Sequence, residues 1–172
     1  RRYRTLLIEP ADFAKGTSSR STKLIHGGVR YLRQGDFQLV HEALRERTRL
    51  LGNASTIVRP LPFVIPSKSI FEQLWYGVGL KAYDFLAGKR GLKRSCWLSK
   101  KKVREFLPGV KMHGIRGGIL YFDAQFDDTR LAIAMAREAA QNGAAVLNYV
   151  AAEGLRKDAE GKVTGISARD VL

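Results

Sequence analysis

Residues 16–31, Gly16-Thr-Ser-Ser-Arg-Ser-Thr-Lys-Leu-Ile-His-Gly-Gly-Val-Arg-Tyr31, decide how this chain is read. Hydroxyl side chains come first, at Thr17, Ser18, Ser19, Ser21 and Thr22. An apolar pair, Leu24 and Ile25, leads to His26, then to Gly27 and Gly28, and Arg30 and Tyr31 close the stretch. Hydroxyl and amide donors ahead of a helical turn form a cradle for an anion, because the first N–H groups of a helix lack internal partners. Paired glycines let the backbone approach a bulky ligand or end a helix with a positive φ. A histidine and an arginine beside them add a proton acceptor and a planar anion clamp. The alternative for the same residues is a capped loop with a satisfied polar histidine.

The order of residues favours the cradle. KLIHGGVRYL, preceded by TSSRST and by an extended run ending in Glu9, resembles the FAD-dependent glycerol-3-phosphate dehydrogenases and their oxidase relatives. RPLPFVIP (59–66), GGILYFDAQFDDTRL (117–131) and NGAAVLNYV (142–150) extend the resemblance through most of the chain. It implies an α/β fold (α+β overall): a partial Rossmann-like FAD-binding domain of the glutathione-reductase/D-amino-acid-oxidase type, with part of an inserted substrate domain.

Composition sets the outer bounds. The chain has 172 residues and is 45% hydrophobic, which suits a folded domain or pieces of two. One cysteine, Cys96, cannot make an internal disulfide, no apolar run is long enough for a membrane span, and no signal peptide is read. A cytoplasmic location is expected, with a peripheral place on the inner face of the cytoplasmic membrane as a variant. The formal charge is +14. Nine basic residues (Lys81, Lys89, Arg90, Lys93, Arg94, Lys100, Lys101, Lys102 and Arg104) lie in one stretch with a single acid, Asp84. Such density attracts phosphates, while a solvated face is the plainer explanation. No metal-ligand spacing and no RNA-binding aromatic signature is present, so neither metal nor nucleic acid is expected. Oligomeric state is left open.

Along the chain, Thr5–Glu9 (TLLIE) suits a buried parallel strand whose terminal acid would bond ribose hydroxyls in a dinucleotide-binding unit. A G-x-G-x-x-G would stand about 20 residues ahead of such an acid. The residues before Glu9 are too few, and no initiating Met is present. The expectation is a fragment without the first strand, diphosphate loop and first helix, able to bind FAD only weakly by itself. Asp36 caps a helix to about Leu51 with Phe37, Leu39, Val40, Ala43, Leu44, Leu50 and Leu51 as its stripe, and Gly52 stops it. Residues 57–66, with Pro60, Pro62 and Pro66, read as an edge or irregular strand.

Residues 70–88 read as a helix with Phe71, Leu74, Trp75, Val78, Ala82, Phe85 and Leu86 apolar. Beside the basic cluster it is either a membrane-interface helix or a core helix. Residues 88–99 carry no usable period. A helical turn at 103–107, a strand at 119–122, a helix at 129–141 capped by Asp127 or Asp128, a strand at 145–150 and a hairpin around Glu160-Gly161 follow. The domain expectation is an FAD-binding part at 1–56, a substrate- and membrane-facing segment at 57–122, and a return to the FAD-binding part at 123–172.

The resemblance assigns roles. His26 is the catalytic base, and Arg30 with Tyr31 holds the substrate phosphate. Glu9, Thr17, Ser18, Ser19, Lys23, Leu24, Ile25, Gly27, Gly28 and Val150 contact FAD. The implied reaction oxidises sn-glycerol 3-phosphate to dihydroxyacetone phosphate, with quinone or oxygen as electron acceptor. Two other classes stay open: a flavin oxidase or dehydrogenase of the same fold acting on an amino or hydroxy acid, and a non-enzymatic basic module that binds an anion or lipid.

Overall fold

A computed structural model describes residues 3–26, 31, 34–88 and 91–172. The contacts divide the chain into two units: Arg1–Thr22 with Asp127–Leu172, and Lys23–Phe126.

In the first unit, strand β1 (Leu6–Glu9) lies parallel to β6 (Ala145–Asn148), with Glu9 opposite Asn148. The parallel strand expected at 5–9 therefore forms. It is less buried than its composition suggested, since Leu6 and Leu7 are exposed. Each has one strand neighbour among the described residues, and a two-stranded sheet shields little side-chain surface. Helix α4 (Asp128–Gln141) precedes β6. Its cap is Asp127, whose carboxylate accepts from Arg130 N, and it ends at Asn142 followed by Gly143 at φ +87°.

The strand expected over 145–150 divides in two. Tyr149 takes a left-handed backbone at φ +59°, so β6 stops at Asn148 and β7 (Val150–Lys157) starts a hairpin with β8 (Val163–Asp170). The hairpin is the expected one with longer arms. Gly161, at φ +80°, stands in its turn.

The second unit is built around β5 (Gly117–Phe126), much longer than the strand foreseen at 119–122. β3 (Val58–Ser67) pairs antiparallel along its whole length and occupies one edge. β2 (Leu24–Ile25) and β4 (Cys96–Ser99) pair with opposite ends of the other edge. Pro60, Pro62 and Pro66 of β3 are spaced by even numbers of residues, so their missing N–H groups all fall on the side away from β5. β4 lies in the stretch without a readable period: four residues with only Leu98 buried are too short to show alternation. At Gly118 a Cβ would stand 2.8 Å from the Ile65 carbonyl oxygen and 2.9 Å from Val103 Cγ2, which is why glycine sits mid-strand there.

Helix α1 (Phe37–Asn53) is capped by the Asp36 carboxylate, which accepts from Leu39 N at 3.0 Å. It runs through Gly52, the expected stop, and its C-cap is Ala54. Phe37 and Leu39 are exposed, while Val40 and Leu44 pack on Tyr83 and Ala87 of α2 (Ile70–Ala87). That shared core places α1 with the 23–126 unit, whereas the sequence-based division grouped it with residues 1–56. Helix α3 (Lys100–Phe106), capped by Ser99, starts ahead of the turn expected at 103–107. It supplies Val103 to a second core with Leu98, Ile115 and Leu120.

Arg47 is the unforeseen core residue. It stands on the buried face of α1, one turn beyond Leu44, at 1% exposure. Its Nη1 donates to Asp123 Oδ1 at 2.8 Å and to the Tyr83 hydroxyl at 3.0 Å. Tyr83, near the basic stretch in sequence, is itself buried.

Burial, reinforced by the Asp123 carboxylate, pushes the phenol of Tyr83 far above its ordinary range, against a smaller lowering by Arg47. Burial and Asp123 also raise Tyr121. The native state keeps these protons after the unfolded chain starts to lose them near about pH 10, so stability falls as pH rises through that value. Each group contributes a slope of up to about 1.4 kcal/mol per pH unit. Urea titrations across that range should show the loss, and Tyr83→Phe should flatten part of it. A Tyr83→Phe profile parallel to the parent's would exclude Tyr83 as a source.

Candidate functional site

In the first unit, Glu9 and Val150 are brought to one end of the parallel pair. Glu9 closes β1, Asn148 opposite it closes β6, and Val150 follows two residues later. The carboxyl ends of parallel strands are where doubly wound sheets receive nucleotides. Glu9 Oε1 accepts from Ala11 N at 3.0 Å, leaving Oε2 of the half-buried carboxylate for ligand hydroxyls. The bend beyond β1 is tied to the same end, since Tyr149 N donates to Ala11 O at 3.2 Å and Asn148 Nδ2 to Asp12 Oδ1 at 3.2 Å.

Thr17–Ser19 is a single 3-10 turn, exposed throughout. The Ser19 hydroxyl stays within the turn, donating to Gly16 O at 3.2 Å and to Lys15 O at 3.4 Å. The hydroxyls of Thr17 and Ser18 stand on the exposed surface. The turn packs against the start of α4, where Ser21 Oγ donates to Asp128 Oδ2 at 2.5 Å and Thr129 Oγ1 to Ser18 O at 3.5 Å.

In the second unit, Lys23 has φ +57°, and its carbonyl accepts from Phe126 N at 3.0 Å. Leu24 and Ile25 lie opposite Gln125 and Ala124, and His26, exposed, follows directly. Tyr31 packs its ring on the Val40, Leu44, Tyr83 and Ala87 cluster, and its carbonyl accepts from Asp36 N at 3.1 Å, so the cap of α1 holds it. Arg30, Gly27 and Gly28 lie outside the described residues, as do Lys89 and Arg90 of the basic stretch.

Among the described residues, three non-glycine positions have left-handed backbones: Ala14, Lys23 and Tyr149. Lys23 is itself assigned to cofactor binding, Tyr149 precedes Val150, and Ala14 stands three residues ahead of Thr17. Such strain persists only where surrounding structure enforces it, and it concentrates at ligand clamps. Sequence reasoning missed Ser21, Asp128 and Thr129 as partners. The one available signal was an aspartate pair, Asp127-Asp128, where a single acid suffices as cap.

Residues 1–171 match the family model described as FAD dependent oxidoreductase, and the chain belongs to that family. Its particular likeness is to glycerol-3-phosphate dehydrogenases. The chain is 42% identical over its full length to the probable mitochondrial enzyme of Caenorhabditis elegans. It is 44% identical over 96% of its length to that of Saccharomyces cerevisiae, and 42% identical over its full length to that of Homo sapiens. It covers 25%, 27% and 25% of those proteins, and so spans about a quarter of their length. Among solved structures it matches the glycerol-3-phosphate dehydrogenase of Bacillus halodurans complexed with FAD, at 30% identity and TM-score 0.65, over 97% of this chain and 25% of that one. L-alpha-glycerophosphate oxidase of Mycoplasma pneumoniae with FAD bound shares the fold at 18% identity and TM-score 0.63, over 92% of this chain and 41% of that one. The α/β FAD-binding architecture and the resemblance carried by the HGGVRY block are thereby borne out.

The residues fit the cofactor of that family. A carboxylate with a spare oxygen at the end of a parallel strand suits ribose hydroxyls, and exposed hydroxyls on a tight turn suit phosphate or ribityl oxygens.

Proposed function

We propose that this chain is the part of an FAD-dependent glycerol-3-phosphate dehydrogenase that carries the adenosine end of the cofactor cradle and the base. The observation that carries the proposal is identity of 42–44% to mitochondrial enzymes of that name along essentially the whole chain. When bound, FAD supplies the hydride acceptor. Glu9 holds ribose hydroxyls, the backbone of Val150 meets adenine, and Thr17, Ser18, Ser19 and Lys23 bind cofactor oxygens. Leu24 and Ile25 pack against the ring, and Gly27 and Gly28 permit its close approach. His26 takes the proton of the C2 hydroxyl while Arg30 clamps the substrate phosphate and Tyr31 donates to it, giving dihydroxyacetone phosphate.

In this reading residues 1–56 and 123–172 serve the FAD-binding part, and residues 57–122 face substrate and membrane. In a protein of the relatives' length that carries this chain, sn-glycerol 3-phosphate should bleach the flavin anaerobically and drive reduction of a soluble dye. Bleaching by glycine or a hydroxy acid instead would favour the other flavin-oxidase reading. The electron acceptor, quinone or oxygen, is then distinguished by turnover with each.

An anionic membrane surface is the partner we propose for α2. Phe71, Leu74, Trp75, Val78 and Phe85 are exposed along one face of that helix, while Gly77, Leu80, Tyr83 and Ala87 are buried on the other. No helix among the described residues is long and apolar enough to cross a membrane. An apolar helix face beside dense positive charge suits binding in the interfacial plane, and the location proposed is peripheral. The relatives' names place those proteins in mitochondria. Vesicles rich in anionic lipid should co-sediment the protein and release it in high salt. Replacing Lys100, Lys101 and Lys102 with Ser should weaken that sedimentation. Equal sedimentation with neutral vesicles would remove the electrostatic part of the proposal.

A further inference from the structure

Asp127 and Asp128 divide two tasks at the start of α4. Asp127 accepts from Arg130 N at 3.0 Å and serves as the cap. Asp128 is therefore not needed for that purpose, yet it is 4% exposed. Its Oδ1 accepts from Thr129 N at 3.0 Å, and its Oδ2 accepts from Ser21 Oγ at 2.5 Å, across 107 residues of sequence. A carboxylate is buried at this cost only with strong compensating partners, and a helix N-terminus supplies part of that compensation.

The segment at the other end of this contact is short and exposed. Thr17–Ser19 is one exposed 3-10 turn, closed by Ser19 N to Gly16 O at 3.3 Å and Arg20 N to Thr17 O at 2.9 Å. Such a turn has no intrinsic stability beyond its few local bonds. Among the described residues, neighbouring side chains of α4 reach it from distant sequence: Asp128 on Ser21, and Thr129 Oγ1 on Ser18 O at 3.5 Å. Because the Ser21 hydroxyl donates to a carboxylate, its proton is committed there, and Ser21 acts as a tether.

We propose that Asp128 is a positioning residue that, through Ser21 and with Thr129, holds the Thr17–Ser21 turn in its ligand-binding conformation before FAD arrives. This rests on the reading of that turn as part of the FAD cradle. Pre-organisation lowers the ordering cost of binding, so the effect belongs in cofactor affinity and not in the fold of α4, which Asp127 caps independently. The Asp-Asp-Thr sequence at 127–129 then gains a division of labour: cap, tether and second clamp.

The test uses a flavoprotein of the relatives' length that carries this chain, stripped of FAD and reloaded. Asp128→Ala and Ser21→Ala should each raise the FAD dissociation constant about tenfold or more, the scale of a lost charge-assisted bond. The double variant should be no weaker than either single one. Asp128→Asn, which keeps an oxygen acceptor and can donate to Ser21 Oγ, should recover part of the affinity. In the apoprotein, amide exchange at Ser19 and Arg20 should speed up in the Ala variants while the amides of α4 beyond its first turn keep their protection. If Asp128→Ala does not fold, Ser21→Ala still decides the matter, since Ser21 is exposed and loses one hydroxyl. Thr17→Ala combined with Ser18→Ala separates the two ideas. If that pair weakens FAD while the Ser21 and Asp128 variants leave affinity and turn exchange unchanged, the positioning role is overturned and the cradle stands. If all of them leave FAD affinity unchanged, the cradle assignment fails and this inference with it.

Discussion

Replacing His26 with Ala in the flavoprotein should slow reduction of its flavin by glycerol 3-phosphate by about 10²–10⁴-fold, the usual worth of a positioned general base. FAD should remain bound and KM should change little, because the proton transfer belongs to the transition state and not to substrate binding. The placement of His26 suits this role: it is exposed and directly follows β2, whose pairing with Gln125 and Ala124 fixes the approach of the chain. A His26→Ala protein that reduces its flavin at near-parental speed would make His26 structural, and one that loses FAD would assign it to the cradle.

Asp123→Ala should destabilise the chain by about 3–5 kcal/mol, because it leaves the Arg47 guanidinium charged inside a core. The pair is almost fully enclosed, at 1% and 3% side-chain exposure, so solvent screening does not dilute it. Arg47→Met should cost a comparable amount, since it removes the cation held against the buried Asp123 carboxylate. The double change Arg47→Met with Asp123→Leu should be milder than either single one, as both desolvation penalties go together. Chemical denaturation of the four proteins closes the cycle. Single variants within about 1 kcal/mol of the parent would show that other groups compensate the buried charges.

Much of the fold was readable because local signals agreed with it. Asp36, Asp127 and Asn142-Gly143 marked helix ends correctly, and three prolines marked an edge strand. The errors came from tertiary context. Gly52 carried a stop signal, but α1 continues through it to an Ala54 cap. Tyr149 fell inside the strand expected at 145–150 and is a left-handed corner. Arg47 was not singled out, although it recurs three residues after Leu44 and seven after Val40, the spacing of the buried face. Asp123, a lone acid inside an apolar strand, was the complementary hint. For the candidate site, the Ser/Thr run and His26 were visible as chemistry. The tether from Asp128 was not, because a contact spanning 107 residues has no local signature.

The prolines of β3 also govern what this sheet can do in company. A strand whose outward side lacks three amide hydrogens cannot template a neighbouring strand along that side, since alternate rungs of any new ladder would have no donor. Crowded copies of the chain are therefore denied backbone-to-backbone growth at that border. Whatever meets β3 there must be recognised through side chains, with Arg59, Leu61 and Phe63 interleaved among the rings as the surface on offer.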